Sequence, residues 1–396
     1  MFNSNPPLGL YIHLPWCEQK CPYCDFNSYQ VDGAIPEQSY VDALLNDLEQ
    51  DLPLIWGRSI ESIFIGGGTP SLFSAEAIDR LFSGLRALLN LAPAIEVTLE
   101  SNPGSADTDN YAGYRAAGVN RLSIGVQSFD DRQLKRLGRV HHAEQAQQAL
   151  VSARAAGFEN TNLDLMFALP AQNQAAARSD LEQAIALAPE HISYYELTIE
   201  PNTLFHSRKP EQLPDNDLCA AQQVDGQALL AQHGYRQYEV SAYCREGRES
   251  QHNLNYWRFG DYLGIGAGAH GKITLAAENR VIRRIRQRQP RRYLEQAGCN
   301  SIITETELGA ADLCFEFMLN ALRLKQGFES SLFHDNTGLA LNLLLPGLET
   351  ARRKGLIEFN GTKIQPTELG FRHLNELQAL FLQPESAKNR PFFESA

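Results

Sequence analysis

Six short runs rich in β-branched and apolar residues recur along the first half of the chain, each separated from the next by a segment of helical periodicity. They are LGLYIHL (8 to 14), SIFIGG (62 to 67), IEVTLES (95 to 101), RLSIGV (121 to 126), NLDLMF (162 to 167) and ISYYELTI (192 to 199). Between the first two, Val41, Leu44, Leu45, Leu48 and Leu52 recur at i, i+3, i+4, i+7 and i+11, the stripe of a helix packed on a sheet. Residues 75 to 90, 143 to 157 and 174 to 187 read as helices in the same way. Strands that alternate with helices are joined by right-handed crossovers and lie parallel. Six such units predict an α/β fold, a partial (β/α)6-type barrel, with functional residues gathered where the strands end.

The first strand end carries the most specific chemistry. YIHLPWCEQKCPYCDF places Cys17, Cys21 and Cys24 in a C-x3-C-x2-C triplet. Three thiolates can ligate three irons of a [4Fe-4S] cluster and leave the fourth open to the amino and carboxylate groups of a methionine. A cluster so placed can reduce bound S-adenosylmethionine (AdoMet), breaking its carbon–sulfur bond to give an adenosyl radical. The competing reading is structural zinc, which usually wants four ligands, and no fourth Cys or His follows at zinc spacing. Cys219, Cys244, Cys299 and Cys314 are scattered like packing thiols and suggest no disulfide framework.

The chain has 396 residues, 43 % of them hydrophobic, and a formal charge of -12, which disfavours non-specific attraction to nucleic acid. No apolar stretch is long enough to cross a bilayer, and MFNSNPPLG lacks the basic and apolar regions of an export signal, so a cytoplasmic location is expected. We expect the barrel and its extension to occupy residues 1 to 300, and a mostly helical C-terminal domain residues 301 to 382. A loose tail, residues 383 to 396, is expected to follow. RRKGLIEFNGTKIQPTELG looks like a helix end, a small hairpin and another helix, which resembles a winged-helix module. The acidic chain argues against a DNA-binding role for it.

Gly66, Gly67, Gly68, Thr69 and Pro70 directly follow the second strand. Glycines there let backbone groups approach a ligand, though a tight turn would use them equally well. In company the motifs are specific: YIHLPWCEQKCPYCDF, FIGGGTPS, ESNPG, RLSIGVQSF, LKRLGRVH and NLDLMFALP, in this order, resemble the radical AdoMet family that contains oxygen-independent coproporphyrinogen dehydrogenase and a branch of heme chaperones. The resemblance covers nearly the whole chain. It implies Cys17, Cys21 and Cys24 on the cluster, with Tyr11, Gly67, Gly68 and Thr69 near AdoMet. It further implies Glu100, Gln127, Arg139 and Asp164 around that ligand. Carboxylates such as Glu100 and Asp164 suit ribose hydroxyls, and Arg139 suits a carboxylate.

Two departures point to the chaperone branch. The dehydrogenase has a further cysteine two positions beyond the triplet, where Phe26 stands here, and a longer segment before the triplet than the 16 residues that precede Cys17. The chaperone branch is marked by HNxxYW, present here as His252, Asn253, Leu254, Asn255, Tyr256 and Trp257. His252 would supply an axial imidazole, and Tyr256 and Trp257 flat apolar surfaces for heme. An aromatic packing cluster, with His252 hydrogen-bonded in place, is the competing reading of the same residues. The resemblance implies a heme chaperone that delivers heme to respiratory hemoproteins at the membrane, works peripherally at its inner face, and dimerises under control of the cluster. The alternatives are radical decarboxylation of coproporphyrinogen III, or a methyltransferase of related fold. RVIRRIRQRQPRR, with seven arginines from Arg280 to Arg292, is expected to be a solvated loop, with heme propionates, anionic lipid or an acidic acceptor as other readings. The GIGAGAHG run at 264 to 271 reads as a close approach to a cofactor or as a tight turn.

Overall fold

The structure is a computed structural model that describes residues 1–104 and 108–382. The tail expected at 383 to 396 lies outside the described residues. The six expected strands form as β1 (Leu8–Leu14), β2 (Ser59–Gly67), β3 (Asn90–Ser101), β4 (Arg121–Gln127), β5 (Thr161–Phe167) and β6 (His191–Glu196). They pair in parallel in chain order, with helices such as Glu37–Asp51, Ala75–Leu88, Ala143–Ala155 and Gln174–Ala186 in the crossovers. This is the (β/α)6 partial barrel. Period-2 alternation decides which side chains meet the helices. Leu8, Leu10, Ile12 and Leu14 of β1 are buried in the main core with Val41, Leu44 and Leu48 of the first helix. Tyr11 and His13, one position out of phase, belong to the opposite face.

The sheet continues beyond β1. Asp261–Ile265 pairs with β1 in parallel, followed by His270–Leu275, Arg280–Arg286 and Ile302–Glu307 in antiparallel order. At the other edge, Ala242–Cys244 pairs antiparallel with β6. A second hydrophobic cluster, built around Phe315, Phe317, Phe333 and Leu348, underlies the C-terminal helices. The expected hairpin there is Ile357–Phe359 with Lys363–Pro366, preceded by the helix Leu345–Arg353 and followed by Glu368–Arg372. Among the described residues no helix is long and apolar enough to cross a membrane.

The arginine run is not the solvated loop expected. Arg280–Arg286 is a strand between two others, and its cations face acids brought from elsewhere. Arg280 reaches Glu307 at 2.7 Å, Arg283 reaches Glu316 through Nε at 3.0 Å, and Arg284 reaches Asp51 at 2.7 Å. Arg286 is fully buried between Asp47 and Asp51, with Asp47 at 3.3 Å. Paired and buried charges of this kind cost several kcal/mol if one partner is lost. Charge counting along the chain could not reveal partners more than 200 residues away.

Candidate cofactor site

The cysteine loop leaves β1 and is held closed from both sides. Tyr29 N–H donates to Pro15 O at 2.7 Å and Val31 N–H to Cys17 O at 2.9 Å, while Lys20 Nζ donates to Phe26 O at 3.1 Å and Ser28 O at 3.2 Å. The glycine loop after β2 lies against it, with Gly68 N–H on Leu14 O at 2.8 Å and Thr69 N–H on Trp16 O at 2.7 Å. Gly67 has φ +121, and a Cβ there would fall 2.6 Å from the His13 ring. That ring cannot easily yield. Its Nδ1 lies 2.9 Å from Tyr11 OH and its Nε2 2.9 Å from Asn27 O, and burial lowers its pKa. A neutral ring must therefore donate from Nε2 to the carbonyl and accept the phenol proton at Nδ1.

All three thiols line one cavity of about 370 Å³ over the strand ends. Gly67, Gly68 and Thr69 line it too, as do Glu100, Gln127, Arg139 and Asp164. The structure thus brings together ten of the expected cofactor residues from five separate strand ends. Burial raises the thiol pKa of Cys17, and that of Cys24 to about 11, so both are protonated until a metal displaces the proton. Among the described residues no three His, Cys, Asp or Glu side chains gather as tightly as a single ion requires. A cluster asks for less, since its irons occupy separate corners, and three thiols facing one space fit that demand.

The remaining donors and acceptors are shaped by the strands that carry them. Burial first, and then the neighbouring Asp164 charge, push the Glu100 carboxyl up to about 8, against the lowering effect of Gly67 N–H, which donates to Glu100 Oε2 at 3.1 Å. Asp164, also raised chiefly by burial, accepts from Asn162 Nδ2 at 2.8 Å and Ser123 Oγ at 3.2 Å. Gln127 takes φ 68 at a register shift between β4 and β5, and a bulge of this kind re-aims a side chain. Its Oε1 accepts from Tyr195 OH at 2.7 Å. Arg139 donates through Nη2 to Asn102 Oδ1 and Gly125 O, each at 2.7 Å, while its buried Nε has no acceptor. An orphaned guanidinium N–H beside the thiols fits an anionic group such as a ligand carboxylate.

A second cavity of about 760 Å³ adjoins the first and shares Gly67, Glu100, Asp25 and Phe26 with it. Tyr11, Tyr256 and Trp257 line this larger space, so Tyr11 stands across Gly67 and Glu100 from the thiols. His252 and Asn253 are not among the residues lining either cavity. The Gln251–Trp257 helix is capped by a buried carboxylate, with Gln251 N–H on Glu96 Oε1 at 2.9 Å. Within it His252 is 1 % exposed, stacked on Phe64 with ring centroids 5.3 Å apart. Sequence reasoning singled out neither His13 nor Tyr262 nor His270, all of which border the larger cavity. Strand alternation was the available signal, since Tyr11 and His13 share one face of β1.

Comparison with known proteins agrees with this geometry. The radical SAM superfamily matches residues 11–184, and the HemN C-terminal domain matches residues 308–373. The fold is that of coproporphyrinogen III oxidase (HemN) from Escherichia coli, described as a radical SAM enzyme, with a TM-score of 0.81 and 23 % identity over 96 % of this chain and 91 % of that one. Fold and cysteine site together define a radical SAM protein, which implies a [4Fe-4S] cluster and AdoMet. Heme chaperone HemW of Escherichia coli (strain K12) is 48 % identical over 95 % of this chain and 98 % of its own, and HemW of Haemophilus influenzae is 46 % identical over 96 % and 99 %. HemW of Bacillus subtilis is 33 % identical over 94 % and 98 %. The chain belongs to the HemW family.

Proposed function

We propose that this protein is a heme chaperone, which binds heme beside a [4Fe-4S] cluster and AdoMet and passes it to acceptor hemoproteins. The observation that carries this reading is the larger cavity. Heme is a flat apolar disc with two carboxylates, and this space offers Tyr256, Trp257 and Phe26 as flat surfaces, with Lys20 and Arg288 as exposed cations on its lining. The relatives' name supports the same function. The further parts of the reading rest on family resemblance alone: respiratory, membrane-associated acceptors, a cytoplasmic site of action at the inner face, and a homodimer governed by the cluster.

When bound, cluster and AdoMet supply reductive cleavage of a carbon–sulfur bond. The chain's own groups bind and orient. Cys17, Cys21 and Cys24 would hold the cluster, Arg139 would meet a carboxylate, and Glu100, neutral near pH 7, would serve as a hydrogen-bond donor as well as an acceptor.

The alternative is oxidative decarboxylation of coproporphyrinogen III. Phe26, 58 % exposed, stands at the shared wall of the two cavities where that enzyme carries a cysteine. An anaerobic assay of the cluster-reconstituted protein with AdoMet, reductant and coproporphyrinogen III separates the two. Saturable heme binding without porphyrin product is expected; protoporphyrinogen formed over many turnovers would replace the chaperone reading with the enzyme.

A further inference from the structure

The larger cavity is not built by the barrel alone. The helix Ala310–Ala321 of the C-terminal domain reaches it twice: Asn320 is in the lining, and Glu316 accepts from Nε of the lining Arg283 at 3.0 Å. Arg283 in turn donates through Nη1 to Tyr262 OH at 2.9 Å, and Tyr262 is a lining residue too. Just past this helix, Lys325 N–H donates to Tyr238 O at 3.0 Å and Lys325 Nζ to Gln237 Oε1 at 3.1 Å. The turn that carries Arg323 is thereby docked on the sheet edge of the barrel domain.

Docking puts Arg323 against Trp257. The guanidinium carbon lies over the indole, 4.2 Å from the ring centroid, where the ring quadrupole attracts a cation. Arg323 Nη2 donates to Glu239 Oε2 at 3.0 Å, and Glu239, 4 % exposed, is itself fixed because its Oε1 accepts from Ser241 N–H at 3.1 Å. Trp257 has no such anchor of its own. A buried indole N–H usually finds an acceptor, yet Trp257 Nε1 has none among the described residues. The orientation of its ring is therefore set by packing, with Arg323 over the ring and the apolar cluster of Tyr238, Leu254 and Leu324 against it. Trp257 lines the larger cavity, whereas Arg323 does not.

We infer that Arg323 is a positioning residue for heme: it holds Trp257 in place as part of the wall of the larger cavity, so that the C-terminal domain completes the heme site, a conclusion that rests on the heme-chaperone reading and deepens it. A flat ligand gains most from an aromatic surface already in position, because ordering a loose ring on binding costs affinity. Arg323 acts only through Trp257, so its contribution to heme affinity should vanish when the indole is gone. Glu239 acts one step further back, by fixing the guanidinium that lies on the ring.

The test is a double-mutant cycle on the dissociation constant of ferric heme, titrated into the full chain and read by its Soret band. Trp257→Leu should weaken binding by about tenfold. Arg323→Met, which keeps the length of the side chain and removes the cation, should weaken it about three- to tenfold in the wild-type background and less than about twofold in the Trp257→Leu background. Circular dichroism and the iron–sulfur absorbance report whether each variant is folded, and should Arg323→Met fail to fold, Glu239→Gln takes its place in the cycle with the same dependence on Trp257 expected. A loss of equal size in both backgrounds, or no loss from either change at Trp257 and Arg323, would overturn the positioning role while leaving heme binding intact. Failure of wild type to bind heme at all would overturn the chaperone reading, and this inference with it.

Discussion

The hydroxyl of Tyr256 lies 2.9 Å from Nε2 of His252, so the two residues that helical spacing places on one face satisfy each other. Ser62 occupies the other ring nitrogen, and Gly9 leaves the room the ring needs, since a Cβ there would lie 3.2 Å from it. His252→Ala therefore removes a packed ring and leaves two hydroxyls without partners. We expect a loss of about 2–4 kcal/mol in unfolding free energy by denaturant titration, with the heme band of the folded variant unmoved.

Glu100 gives the site a pH dependence with a definite sign. Its folded pKa is raised to about 8, above the ordinary carboxyl value of 4.5, because burial and the Asp164 charge disfavour ionisation. Between those two values the unfolded chain has released the proton and the folded chain retains it, so this group lowers stability as pH rises. Glu100→Gln cannot ionise. Thermal unfolding should show the variant gaining on wild type from about pH 4.5 to about pH 8 and no further above it. A difference constant with pH would mean that Glu100 is ionised throughout.

Gly67 is where a single methyl group should disable cluster assembly. Its φ of +121 costs any other residue about 1–3 kcal/mol, and the new Cβ would press on His13 at 2.6 Å. His13 is pinned between Tyr11 OH and Asn27 O, so the displacement passes to the loop that carries the cysteines. Gly67→Ala should fold, yet retain much less iron per chain after reconstitution than wild type. Iron content equal to wild type would show that the loop accommodates the change.

Much of this was legible in the sequence, for reasons that are local. The strands announced themselves because a parallel sheet buried on one face by helices needs apolar residues at alternate positions, as in Leu8, Leu10, Ile12 and Leu14. The triplet Cys17, Cys21 and Cys24 was legible because its ligands are close in sequence. The larger cavity was not, since Tyr11, Tyr262 and His270 share a face only through pairings with Asp261–Ile265, more than 200 residues from β1. The surroundings of His252 were hidden for the complementary reason: its motif is local, but Ser62, 2.9 Å from its Nδ1, is 190 residues away. β6 ends at Glu196, short of residue 199, with Leu197 N–H donating to Phe167 O of β5 at 3.0 Å.

The arginine strand yields a prediction that separates a structural from a surface role. Arg286 is buried against Asp47 and Asp51, and Asp47 also accepts from Tyr293 OH at 2.8 Å and Ser301 Oγ at 2.7 Å. Removing the guanidinium leaves Asp47 buried without a cation and Asp51 with Arg284 alone, at a cost of roughly 3–5 kcal/mol. Arg286→Met should thus unfold at markedly lower denaturant, whereas Arg291→Ala, which removes an exposed partner of Glu295 at 3.1 Å, should shift the midpoint little. A double variant Arg286→Met with Asp47→Asn removes the stranded charge and should recover part of the loss, with Asp51 still paired to Arg284. If the double variant is no more stable than Arg286→Met alone, the cost lies in packing around the long side chain and not in the unpaired acid.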